Sequence, residues 1–323
     1  MSNYLTPQEI LEYAEETGVR KAGMPFRRTM LLSFLAGVFI ALASVGSNII
    51  SHNITDIGLA KYLAGLIFPA GLILVVVAGA ELYTGNNLIS IASLSKRVKW
   101  STYAYNLVIV WLGNLAGSVF IALLIYLSGQ LDYSSGLLGA YTVKVASVKA
   151  NLTFVQAFSS GILCNLLVCL AVWMSYGAKD LAGKSLVIFF PIWLFIASGY
   201  EHSVANMYYL SAGLFAKSTA RYADAAITSY SVSPELLENL NIMSSLGGNL
   251  LPVTLGNLAG GAVNFDGYAI NSPSGSLDAS RWDSLDDKNL ASWMETPPTG
   301  ADLAELAPLA GSTLNVGQSL SLG

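Results

Sequence analysis

Residues 195–206 read FIASGYEHSVAN, and the fold follows from how this stretch is taken. Glu201 and His202 lie between two apolar runs, since residues 185–200 and 203–216 contain no Asp, Glu, Lys, Arg or His. Ionisable groups inside membrane-like sequence are costly and usually face a cavity or a pathway. Gly199, just before the pair, is suited to break a helix, and irregular backbone at membrane depth is tolerated where it lines a cavity. A His–Glu pair in a soluble core is the competing reading, and the length of the flanking runs argues against it.

The same device occurs earlier in the chain. Residues 62–80 are free of charge, Glu81 follows, and residues 82–95 are free again, around the motif AGAELYTGNNL. Setting Glu81 on Glu201 places Asn86 on Asn206. As one straight helix, residues 62–95 would measure about 51 Å at 1.5 Å per residue, too long for a bilayer core. A break over Glu81–Gly85 removes the difficulty. Matched interrupted segments in two halves of a chain point to a transport site.

Of 323 residues, 54% are hydrophobic and 11% charged, against roughly 25% charged in soluble domains. This is the composition of a polytopic membrane protein. The net charge of −4 comes mainly from residues 271–323, which carry seven acidic and two basic side chains. That segment is rich in Ser, Gly, Leu and Pro and reads as a mostly disordered tail. The first 28 residues are polar and charged, so no cleavable signal peptide is expected. Cys164 and Cys169 share one apolar run and read as core residues. The chain has no Cys/His cluster, phosphate loop or Ser–His–Asp set. No metal, cofactor, nucleic-acid partner or enzymatic activity is therefore expected.

Charge-free runs at 29–51, 62–95 (interrupted), 100–131, 150–178, 185–216 (interrupted) and 239–265 give the order whole, broken, whole, twice over. The fold class expected is an all-α membrane protein of six spans, with the second and fifth broken. Before them, Thr6-Pro7-Gln8-Glu9 forms a capping box with Pro at the first helical position, starting a short amphipathic helix to about Gly18. It should lie on the membrane surface or on the protein's own face. Three segments follow: residues 1–28, a helix and basic segment; 29–265, the pore domain; and 266–323, the acidic tail. With the N-terminus inside, eleven of the sixteen basic residues fall on the inner side and five on the outer. The positive-inside rule then puts both termini in the cytoplasm.

LGNLAG occurs at 112–117 and again at 255–260, and Gly37 matches Gly161. Each half, 29–131 and 150–265, has an odd number of spans, so the repeat is expected to be inverted. Gly113-x-x-x-Gly117 and Gly256-x-x-x-Gly260 are faces for close helix packing. Asn114 and Asn257 either belong to that packing or are membrane-buried amides that need partners. Glu81 and Glu201 are expected to hold the breaks together, accepting hydrogen bonds from orphan backbone N–H groups.

ELYTGNN at 81–87, CLAVWMSYGAKDLAGK at 169–184, FIASGYEHSVANM at 195–207 and NLLPVTLGNLAGG at 249–261 resemble the formate/nitrite transporter family, the formate channels most of all. The resemblance runs from about residue 5 to 262. It implies an aquaporin-like six-span protomer, a homo-pentamer with one pore per protomer, and passage of small monovalent anions across the plasma membrane. Formate is the main candidate, with nitrite or hydrosulfide as alternatives. It also implies that Thr84 faces His202 at the pore centre, with Asn257 and Asn165 near them and Lys149 in a vestibule. Two hydrophobic slits would be formed by Leu72, Leu82 and Tyr83 on the cytoplasmic side and by Phe68, Val168 and Phe195 on the other. Gly85 and Gly199 belong to the breaks, and the N-terminal helix is a possible docking point for a cytoplasmic partner. Tyr83 stands where the family usually has Phe. The sixth span loses its apolar character after Val263, where relatives continue. A channel for a neutral solute such as glycerol is the nearest rival, but it leaves a central histidine unexplained.

Overall fold

The computed structural model describes residues 4–263. The expected tail, 266–323, and the end of the sixth apolar run lie outside the described residues. Within them the regular elements are helices, with one isolated bridge between Tyr4 and Ala178.

Helix α1 (Pro7–Ala22) starts as its capping box dictates. Thr6 N donates to Glu9 Oε2 at 2.7 Å and Glu9 N donates to Thr6 Oγ1 at 3.3 Å. The Thr6 N–H, together with the Thr6 hydroxyl donating to the same Oε2 at 2.9 Å, holds the Glu9 carboxyl below the usual carboxylate range. The helix runs one turn beyond Gly18 and buries Ile10, Leu11, Ala14, Thr17 and Gly18. It lies on the protein's own face: a Cβ on Gly18 would come within 2.9 Å of Ala92 Cβ.

Five helical segments among the described residues are long and apolar enough to cross a membrane. They are α2 (Phe26–Ser51), the pair α3 (Ile57–Ile67) and α4 (Pro69–Ala78), then α7 (Trp100–Leu127), α9 (Phe154–Gly177) and α10 (Leu181–Ser198). Between α4 and α7 lie the short α5 (Tyr83–Asn86) and α6 (Ile89–Leu94). After α10 comes α11 (Ser203–Lys217). The last apolar run begins as a π-helical turn, Ser244–Leu250, and continues as α14 (Leu251–Val263). Extra residues wound into a helix in this way often re-aim side chains at functional sites.

The glycines of the repeated hexapeptide set two close backbone crossings. A Cβ on Gly117 would sit 2.1 Å from Phe34 O, and one on Gly256 would sit 2.1 Å from Phe158 O. Backbone thus touches backbone where α7 crosses α2 and where α14 crosses α9, the packing that small residues permit in a membrane.

Two helices stand where the charge pattern shows only connections. Residues 137–150 form α8 (Leu137–Ala150), and the polar stretch after Lys217 contains α12 (Ala220–Tyr230) before α13 (Pro234–Glu238). Both are too short or too polar to register as spans. Together they bury Leu131, Leu138, Val143, Tyr222 and Ala226 as a separate apolar cluster. Lys217 Nζ secures this cap by donating to Leu237 O at 2.6 Å and Leu240 O at 2.8 Å. Arg221 and Tyr222 both donate to Asp132 on the segment leading into α8.

Candidate pore

The two broken segments end alike. Helix α4 stops at Gly79 (φ 74°) and α10 stops at Gly199 (φ 74°), both in the left-handed region that favours glycine. The chain then runs extended through Leu82 and His202 and resumes as α5 and α11. The first break therefore spans residues 79–82, turned by Gly79. Gly85 lies inside α5, where an added Cβ would meet only Val172 Cγ2 at an ordinary 3.6 Å.

Backbone groups released by each break are taken up by the hexapeptide asparagines. Tyr83 N donates to Asn114 Oδ1 at 2.9 Å, while Asn114 Nδ2 donates to Ser33 O at 2.8 Å and Glu81 O at 2.9 Å. In the second half, Ser203 N donates to Asn257 Oδ1 at 2.9 Å, and Asn257 Nδ2 donates to Gly161 O at 2.8 Å and Glu201 O at 3.0 Å. Asn257→Leu would orphan one buried donor and leave two carbonyls short of a partner, a cost of about 3 kcal/mol. A clear drop in the thermal midpoint of the purified protein is the expected result. An unchanged midpoint would leave Asn257 without this bridging role.

The break glutamates accept from side chains, not from the orphan backbone N–H groups expected of them, because Asn114 and Asn257 already bond the Tyr83 and Ser203 N–H groups. Glu81 pairs with Lys21 at 3.0 Å and accepts from Asn86 Nδ2 at 2.7 Å; Asn86 Nδ2 also donates to Asn106 Oδ1 at 2.9 Å. Glu201 pairs with Lys149 at 2.7 Å and accepts from Asn206 Nδ2 at 2.6 Å; Asn206 Nδ2 also donates to Asn249 Oδ1 at 2.8 Å. Lys149 is therefore partnered by a carboxylate rather than standing free. Asn106 and Asn249 escape a reading of the sequence for charges, and so does the place of Lys21 at the first break. Only the asparagines leave a trace: each stands eight residues before the hexapeptide asparagine of its own half.

Thr84 and His202 meet between the two breaks, Thr84 Oγ1 lying 3.0 Å from His202 Nε2. His202 also caps α11, its Nδ1 accepting the Ala205 N–H at 3.1 Å. In the neutral ring the proton therefore sits on Nε2 and is directed at Thr84. Asn165 lies alongside, with Nδ2 donating to Asn257 O at 2.6 Å and Thr84 O at 3.4 Å. Thr84, His202, Asn165 and Asn257 thus form one buried cluster.

A cavity opens on either side. The first, about 430 Å³, is lined by Lys21, Arg28, Leu72, Glu81 and Leu82. The second, about 820 Å³, is lined by Lys61, Lys149, Phe195, Glu201 and His202. Phe195 stacks on His202 with centroids 5.9 Å apart and meets Phe68 edge-on at 5.5 Å. Val168 is buried one turn after Asn165 on the same face of α9. Tyr83 is buried too, but its hydroxyl donates to Thr254 O at 3.2 Å and is engaged by α14.

Apolar helices of membrane-spanning length, two facing breaks and a histidine between two cavities define a membrane transport protein. Residues 8–269 match the formate/nitrite transporter family. The chain is 39% identical over 261 residues to the formate channel FocA of Escherichia coli K12, covering 80% of this chain and 91% of that protein. It is 32% identical over 280 residues to a probable formate transporter of Methanothermobacter thermautotrophicus, covering 81% and 94%. Among solved structures, a pentameric formate channel with formate bound superposes with a TM-score of 0.66 at 32% identity, over 75% of this chain and 95% of that one. The chain belongs to the formate/nitrite transporter family.

Proposed function

We propose that this protein is a channel for formate and related small monovalent anions, with His202 lending a proton between two apolar constrictions. The observation that carries the reading is the Thr84–His202 contact, buried between two cavities and walled by Phe68 and Phe195 on one side and by Leu72 and Leu82 on the other. A bare anion crosses an apolar slit only at high cost, and a protonated one crosses cheaply. A carboxylate reaching the centre is a better acceptor than Thr84 and takes the Nε2 hydrogen bond. A cationic ring forms only when Nδ1 releases the Ala205 N–H. It then gives its Nε2 proton to the anion, leaving a neutral ring with hydrogen on Nδ1. Reprotonation at Nε2 and loss of the Nδ1 proton restore the cap. No bond of the substrate's carbon skeleton changes, so the reading is of transport and not of an enzyme.

The wider architecture belongs to the same reading. Six spans form an inverted repeat, 29–131 and 150–265, and the matched Lys–Glu–Asn sets around Glu81 and Glu201 support it. Both termini are cytoplasmic and the membrane is the plasma membrane. Protomers assemble as a homo-pentamer, a reading supported by the likeness to the superposed formate channel, which is pentameric. The face of α1 turned away from the protein is available to a cytoplasmic partner.

Stopped-flow uptake into liposomes, comparing formate, nitrite, hydrosulfide and glycerol, tests the function. Formate influx above protein-free liposomes is expected. Glycerol influx without anion influx would overturn the reading. Leu72→Ala should widen the slit on the first cavity, raise formate flux severalfold and admit lactate. Flux and selectivity equal to wild type would make Leu72 a packing residue only.

A further inference from the structure

The second cavity holds groups that the central Thr84–His202 pair does not use. Three lysines line it against a single carboxylate, Glu201. Lys149 is taken by that carboxylate at 2.7 Å, and Lys144 lies over the rings of Tyr141 and Tyr230 at 5.5 Å from each. Lys61 differs: among the described residues its Nζ forms neither an ion pair nor a hydrogen bond. Its head lies at the second break, where a Cβ on Gly199 would come within 2.2 Å of Lys61 Nζ.

Asn48 is the second unused group. It lines the same cavity, is 4% exposed, and its Nδ2 is buried with no hydrogen-bond partner. Such a donor is costly to leave unpaired in a folded protein. The helix turns that carry the two residues are side by side, because Ser47 Oγ donates to Ala64 O at 3.4 Å and Ser51 Oγ to Ala60 O at 3.3 Å. Rotation about the soft terminal torsion of Asn48 turns its NH2 group toward the cavity.

We infer that Asn48 and Lys61 form a holding site for a small carboxylate in the second cavity, outside the Phe68–Phe195 pair. The inference rests on the anion-channel reading and deepens it. An anion oxygen supplies the acceptor that Asn48 lacks and the counter-charge that Lys61 lacks. A neutral solute would satisfy the amide alone. Because Lys61 lies against the break that carries Glu201 and His202, a carboxylate held there waits one step from the proton donor. The site raises occupancy of the cavity at low external anion, and it acts on one face of the membrane only.

The test uses the full chain, reconstituted as its intact oligomer in oriented liposomes, with formate as the probe. Initial rates are measured against formate concentration for entry through each cavity in Asn48→Leu, Lys61→Met, the double variant and Lys61→Arg. Asn48→Leu replaces an unpaired amide by an apolar side chain of similar size and is expected to keep or raise thermal stability. Half-saturation for entry through the second cavity should rise about threefold in each single variant and about tenfold in the double, since each contact stands in an open cavity and is screened by water. It should rise by more than the maximal rate falls, and Lys61→Arg should retain most of the affinity. Half-saturation for entry through the first cavity should not rise. Unchanged half-saturation in the double variant, or equal loss from both faces with reduced stability, overturns the holding site. Failure of the wild-type protein to carry formate at all overturns the channel reading instead, so the two failures are distinguishable.

Discussion

Formate uptake is expected to fall to the level of protein-free liposomes in His202→Phe, while the protein still folds and assembles. The ring of Phe fills the space beside Phe195, which already stacks on His202 at 5.9 Å. What it removes is the Nε2–H directed at Thr84 and the Nδ1 that accepts the Ala205 N–H. Loss of the cap costs about 1 kcal/mol, an amount that an assembled membrane protein tolerates, so flux and folding separate. His202→Asn sharpens the result. Asparagine is a good N-cap, so α11 keeps its start, but the shorter side chain has no second nitrogen to exchange a proton. Any flux that remains in this variant should no longer vary with pH. Oligomer size must first match the wild type. Wild-type pH dependence in a well-assembled His202→Asn protein would remove His202 from the proton step and leave it as the cap of α11.

The parts legible in the sequence are those that depend on local spacing. Charge-free runs bounded by single glutamates locate both broken segments, because a charge inside a membrane span is rare enough to be a landmark. The repeated LGNLAG marks Asn114 and Asn257, and the structure gives those amides matching partners at the two breaks. Less legible are features set by tertiary distance. Lys21 reaches Glu81 across sixty residues, whereas Lys149 reaches Glu201 across fifty-two, so no common spacing joins the two pairs. In the charge count Lys21 is simply one of the inner basic residues. The turn at Gly79 is masked by Gly85, since both lie near Glu81 and only backbone dihedrals separate them. Helix α12 is hidden for another reason: its eleven residues are mostly small or polar, and tertiary contact with α8, rather than a long apolar face, holds it in place.

Glu201→Leu is expected to be far more damaging than its size suggests, and Lys149→Met added to it should repair most of the damage. The Lys149 and Glu201 side chains are 15% and 9% exposed, with Nζ and Oε1 2.7 Å apart. Removing one member of a nearly buried ion pair leaves an uncompensated charge and typically costs about 3–5 kcal/mol. Removing both leaves none, and apolar replacements of similar volume are often neutral. The surrounding amides can bear the loss. Asn206 Nδ2 keeps Asn249 Oδ1 at 2.8 Å, and Asn249 Nδ2 keeps Lys149 O, a backbone atom, at 2.9 Å. The two substitutions should therefore be strongly non-additive in a double-mutant cycle read from thermal unfolding of the purified oligomer. Formate flux provides the second measurement. With Lys149 and Glu201 both apolar, Lys61 remains as a cation beside the break, so anion entry should be reduced but still measurable. Equal destabilisation in the single and double variants would mean that Glu201 is held for its bonds to Asn206 and Asn249, and that the charge of Lys149 needs no partner.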